Sequence, residues 1–224
     1  MTRSPKLSFE AWSVRWKSAR KACDVDDIIR LWRIMPTDMW KRDPEKWLKE
    51  LGYRKKSLKL RGEQEIEKKL LGTLGKEKSH RLNLGGKVFT LTVRRHNDAL
   101  TGRKTGQVIV DATATVTVGS RRHPLAIEIK KTADNPWSAL VQNLQQIRLL
   151  RADEKSTKER YGASSGAWGM VLAPRSYYDD HLKELGKACE LLDRLKKSSE
   201  ARVCLAAEDK LDQGIIEVIA HNWR

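Results

Sequence analysis

Residues 107–130, QVIVDATATVTVGSRRHPLAIEIK, hold two strands and the turn between them. Val108, Val110, Ala112, Ala114, Val116 and Val118 recur at every second position, with Ile109, Asp111, Thr113, Thr115 and Thr117 between them. A period of two is that of a strand whose two faces differ. Gly119–Arg122 reads as a basic turn and Pro124–Lys130 as the next strand. In that strand Ile127 and Ile129 face one way, and Glu128 and Lys130 the other. An acid and a base side by side on a central strand are costly if their face is dry. A divalent cation that neutralises the carboxylate removes that cost. Asp111 is the one charge inside the alternating strand. If the two strands pair as a hairpin, Asp111 and Glu128 share a face and offer Mg²⁺ two hard oxygen donors. The alternative is a pair of strand-edge acids neutralised by Lys130 and Arg121.

Downstream, Asp134 or Asn135 can cap a helix starting at Pro136, with Trp137, Leu140, Val141, Leu144 and Ile147 as its apolar stripe. AWGMVLA, 167–173, is a continuously apolar strand of the kind covered on both faces. An amphipathic helix over His181–Lys197 and strands over Arg202–Ala207 and Ile215–Ala220 follow. Upstream, 62–74 reads as a helix with Ile66, Leu70 and Leu74 on one face. Arg81–Arg95 is one strand or a bent pair around Gly85–Gly86, and His96–Lys104 is a polar, basic turn. The order α-β-β-β-α-β and then α-β-β predicts an α/β (α+β) fold with a central mixed sheet flanked by helices.

A shift in composition divides the chain into a Trp-rich, basic helical region over 1–57 and a domain over 58–224. The first holds Trp12, Trp16, Trp32, Trp40 and Trp47 of the eight tryptophans. Phe9, Trp12 and Trp16 follow helical spacing, as do Val25, Ile28, Ile29 and Trp32 behind a capping Asp24. These indoles read as a small core rather than as base-stacking platforms.

The 224 residues carry 45 Lys and Arg against 29 Asp and Glu, a formal charge of +16. An excess of this size implies a polyanionic partner, with nucleic acid first and a membrane surface second. No apolar run approaches the ~18 residues of a membrane span. The basic N-terminus lacks a secretory apolar region, so a cytoplasmic location is expected. Three single cysteines, Cys23, Cys189 and Cys204, fit neither a disulfide framework nor a zinc site, and the five histidines show no ligand spacing. Phosphate-binding glycine loops, serine-hydrolase elbows and zinc-protease motifs are absent from the sequence.

VIVD at 108–111, IEIKKT at 127–132 and ALVQNLQQ at 139–146 together resemble the PD-(D/E)xK nuclease superfamily. The resemblance covers about 62–174 and lies in the order of elements as much as in the short motif. It implies a restriction-endonuclease-like αβββαβ core and phosphodiester hydrolysis, in DNA before RNA, by an endonuclease or exonuclease. It further implies that Asp111 and Glu128, with the carbonyl of Ile129, ligate Mg²⁺ or Mn²⁺. Lys130 would orient or deprotonate the attacking water and stabilise transition-state charge. Gln142 or Gln145 would project to the site, with Gln142 preferred because Gln145 sits nearer the apolar stripe. Glu63 or Glu67 would match the acid on the preceding helix. Many such nucleases pair as homodimers. No Pro precedes Asp111, and no Tyr follows the Gln at the spacing of the RecB-like branch. The competing reading is a nucleic-acid-binding protein, DNA-bound or RNA- and ribosome-associated, that uses the same sheet without cutting.

Overall fold

The computed structural model describes residues 7–51, 68, 71–75, 78–84, 86–100, 109–131, 134–162, 166–198 and 201–223. Glu63 and Glu67 lie outside the described residues, as does most of the helix expected over 62–74, of which 68 and 71–74 are helical. Seven strands form one mixed sheet in chain order: β1 (Ser79–Leu84), β2 (Lys87–Ala99), β3 (Ile109–Val118), β4 (Arg121–Ile129), β5 (Trp168–Ala173), β6 (Arg202–Ala207) and β7 (Glu217–His221). β1 to β4 form an antiparallel meander, β5 and β6 lie parallel to β4, and β7 turns back antiparallel. The protein is therefore a mixed α/β fold with a seven-stranded sheet flanked by helices.

Arg81–Arg95 is the bent pair rather than one strand. β2 also runs on to Ala99, through what the sequence suggested was a turn from His96. The sheet curls round its inner face: the Arg81 amide donates to Gly214 O at 3.0 Å, and the Ile216 amide donates to Arg81 O at 3.3 Å. Inside the curl lie Leu82, Phe89, Leu91, Ala114, Leu125 and Met170, with Trp223 packed 5.0 Å from Trp168 and 5.6 Å from Phe89.

On the outer face α5 (Pro136–Ala152) crosses β4, β5 and β6. It begins where Asn135 Oδ1 accepts from the Ser138 amide at 2.9 Å, with Pro136 at the first helical positions. α6 (Glu154–Tyr161) and α7 (Arg175–Asp179) are short helices without an apolar stripe in the sequence. α8 (Leu182–Ser198) packs on α5 and along β6 and β7.

The N-terminal helices α1 (Phe9–Ala22), α2 (Val25–Arg33), α3 (Thr37–Arg42) and α4 (Pro44–Leu51) cover the other side of α5. Two indoles tie the layers together: Trp32 Nε1 donates to Leu144 O at 2.7 Å, and Trp137 Nε1 donates to Arg20 O at 2.7 Å. All five N-terminal tryptophans are buried, so their rings are spent on packing and present no stacking surface. Among the described residues no helix is long and apolar enough to cross a membrane.

One glycine sets how closely α5 approaches the sheet. A Cβ at Gly169 would stand 1.9 Å from Asn143 Oδ1 and 2.7 Å from Ile147 Cδ1. Asn143 cannot swing aside freely, because its Nδ2 donates to Ala126 O at 3.2 Å and to Gln146 Oε1 at 2.9 Å. Gly169→Ala is expected to lower stability by about 1–3 kcal/mol, the usual range for overpacking. Urea denaturation measures it, and an unchanged midpoint would contradict this packing.

Candidate active site

The β3–β4 hairpin brings the two acids together. A two-residue turn, Gly119–Ser120, joins Val118 to Arg121, with Gly119 at a φ of 56° that favours glycine. At the end of the hairpin away from the turn, Ala112 pairs with Ile127. One step further places Asp111 across from Glu128, on the face opposite the inner core. Arg121 is at the turn, seven residues along β3 and so about 24 Å away, too far to neutralise Asp111. The strand-edge pairing with Arg121 is therefore not what the fold makes.

Both acids are buried, Asp111 at 8% exposure and Glu128 at 5%, so each needs partners to keep its charge. Asp111 Oδ2 accepts from the Ile129 amide at 2.7 Å. Glu128 Oε1 accepts from Gln142 Nε2 at 2.6 Å and lies 2.9 Å from Lys130 Nζ. Glu128 Oε2 accepts from Gln146 Nε2 at 2.5 Å. Lys130 Nζ also donates to Gln142 Oε1 at 3.1 Å. Gln142 thus has its amide oxygen toward the ammonium and its nitrogen toward the carboxylate, the only orientation that satisfies both.

Lys130 has a second carboxylate. Asp134 Oδ2 lies 3.5 Å from its Nζ, and Asp134 Oδ1 lies 3.7 Å from Arg20. Because Asn135 takes the cap, Asp134 is released from that duty and sits in the left-handed region at φ 71°. Burial alone would push the Lys130 ammonium down. Glu128 and Asp134 outweigh it and hold the group well above the ordinary lysine range. Lys130 is accordingly a donor and a fixed positive charge.

Of the expected residues, the fold unites Asp111, Glu128, Lys130 and Gln142, with Ile129 contributing its amide to Asp111. Gln145 is buried, and it is Gln146 that reaches Glu128 beside Gln142. Sequence reasoning missed Gln146, although Gln142 and Gln146 stand at the i, i+4 spacing that shares a helix face. It also missed Tyr177 on α7, 2% exposed, whose hydroxyl makes no hydrogen bond to a described residue. Burial, then the carboxylates of Asp134 and Glu128, push that phenol above its usual range.

Among the described residues no group of three His, Cys, Asp or Glu gathers to hold a metal. The donor set still suits one class of ion. Magnesium is commonly held by one or two carboxylates, with water and substrate phosphate completing its shell. A carboxylate has about four lone-pair sites, and the three donors at Glu128, two on Oε1 and one on Oε2, leave one on Oε2. Asp111 stands alongside. Comparison with protein-family models, curated proteins and solved structures finds no match to this chain.

Proposed function

We propose that the protein is a metal-dependent nuclease of the PD-(D/E)xK type that hydrolyses phosphodiester bonds in DNA. The observation that carries this reading is the buried meeting of Asp111 and Glu128 on one sheet face, with Lys130 2.9 Å from Glu128. The order β2, β3, β4, α5, β5, with β5 parallel to β4, supports a restriction-endonuclease-like core. The formal charge of +16 supports a phosphate-bearing substrate.

Asp111 and Glu128, with the Ile129 carbonyl at the same strand end, would hold Mg²⁺ or Mn²⁺. Bound there, the ion supplies Lewis acidity to the phosphoryl oxygens and lowers the pKa of water. Lys130, protonated, donates to the attacking water or to a non-bridging oxygen and offsets negative charge as it builds. The base role for Lys130 is disfavoured by the two carboxylates that hold its proton. Gln142 keeps the Glu128–Lys130 pair in register, and Gln146 fixes the outer oxygen of Glu128. Folding Glu128 into three donors also favours a second reading, a nucleic-acid binder with a structural ion pair.

Metal binding separates the two. Calorimetric titration of Mn²⁺ into the protein should show binding that Asp111→Asn abolishes, while DNA affinity in EDTA changes little. A binder that does not cut shows no such heat, and its affinity and salt dependence are the same with metal or without.

A further inference from the structure

The outer face of β1–β4 has a composition unlike the rest of the chain. From Lys78 to Asn97 and from Ala112 to Ile127 the sequence holds no Asp or Glu, but seven Lys and Arg. The register arranges these residues in rows across the strands. Arg81, Thr90, Thr117 and Arg122 form one row. Ser79, Thr92 and Thr115 form the next, with Ser79 Oγ 3.1 Å from Thr92 Oγ1. A shift in register between Val93 and Arg95 then sets two arginines side by side beside Thr113. Arg94 lies down over the sheet, its Nε donating to Thr115 Oγ1 at 3.2 Å, while Arg95 is exposed. One step further are Asp111 and Glu128.

Arg81, Arg95 and Arg122 are exposed, Thr90, Thr92 and Thr117 are half-buried, and Thr113 and Thr115 are buried beneath them, so the contacts to phosphate fall to the arginines and the outer hydroxyls. Among the described residues the helices make their main contacts with the sheet at β4 to β7, away from these rows. We propose that this face is the surface on which a DNA duplex docks by its phosphates, in line with the acids. The inference rests on the nuclease reading for what the docked strand meets at Asp111 and Glu128. Arginine and hydroxyl side chains are the groups that bind phosphate without reading sequence. The six residue steps from Asp111 to Thr117 span about 20 Å at ~3.4 Å each, the length of roughly six base-pair steps. The face lies in the meander, so the duplex is held there and not by the N-terminal tryptophans, which are buried.

The test is the salt dependence of binding to a fluorescein-labelled DNA duplex, followed by anisotropy in EDTA. The variant carries Arg81→Ala, Arg95→Ala and Arg122→Ala, all exposed positions. A control carries Lys183→Ala, Lys187→Ala and Lys197→Ala on α8, with the same change in net charge. Each lost phosphate contact lowers the slope of log K against log salt by about 0.9, so the sheet variant should lose about 2–3. The control should keep the wild-type slope. An unchanged slope in the sheet variant, or an equal loss in the control, overturns the proposal. Cleavage of the same duplex in Mg²⁺ keeps the two readings apart. A sheet variant that loses its slope, beside a wild type that never cuts, upholds the docking surface and sinks the nuclease alone. A wild type that cuts while the sheet variant keeps its slope sinks the docking surface alone.

Discussion

Glu128→Gln is expected to destabilise the protein by about 3 kcal/mol, the lower end of the range for breaking a buried ion pair from one side. The lower end applies because Lys130 keeps Asp134 at 3.5 Å, a partner that is itself 41% exposed. Three donors converge on Glu128, from Gln142, Gln146 and Lys130. An amide at 128 has one acceptor oxygen for them and adds two donors of its own, so at least one buried group is left unmet. Chemical denaturation measures the loss, and Glu128→Gln combined with Lys130→Met tests its cause. Removing both charges should recover part of the stability, with a coupling of about 0.5–3 kcal/mol. Additive losses would mean that the pair is not coupled. The same substitution should abolish Mn²⁺ binding and any cleavage.

Trp12→Ala should cost about 3–5 kcal/mol, as large aromatic truncations in cores do. Trp12 is fully buried, with its ring 5.2 Å from Trp16, 5.7 Å from Trp47 and 6.2 Å from Phe9. Its Nε1 donates to Leu31 O at 2.9 Å, which ties α1 to α2. For a chain of this size such a loss lowers the thermal midpoint by roughly 6–20 °C. The effect should reach the site through Arg20 of α1, whose carbonyl accepts from Trp137 and whose guanidinium lies beside Asp134. A midpoint within a degree or two of wild type would mean that the N-terminal helices do not share the core.

The hairpin of β3 and β4 was legible because strict alternation fixes which residues share a face, although the turn is the two residues Gly119–Ser120 rather than the four expected over Gly119–Arg122, and the second strand starts at Arg121. That was enough to bring Asp111 opposite Glu128 without any knowledge of the rest. β5 was legible as an unbroken apolar run. α6 was not, because EKSTKERY has no apolar face and is held by its neighbours rather than by a stripe of its own. Gln142, preferred over Gln145, does meet Glu128 and Lys130, but Gln146 was missed for a related reason. α5 lies between the sheet and a second helical layer and is buried nearly all round, so nearness to the apolar stripe says little about which polar residue faces the acids. Asp134 escaped because its role depends on a left-handed backbone and on Asn135 taking the cap, a local choice between adjacent residues of similar capping power. Tyr177 lies on a five-residue helix that carries no periodic signal.

The most direct test is cleavage of labelled plasmid and linear DNA in Mg²⁺, Mn²⁺ or EDTA, with wild type beside Lys130→Ala. The expected result is nicking or degradation that needs the metal and falls by about 10²–10³ in the variant, the loss usual for one stabilising donor. Circular dichroism confirms that the variant is folded. Absence of cleavage with either metal, or cleavage that persists unchanged in Lys130→Ala, would contradict the account.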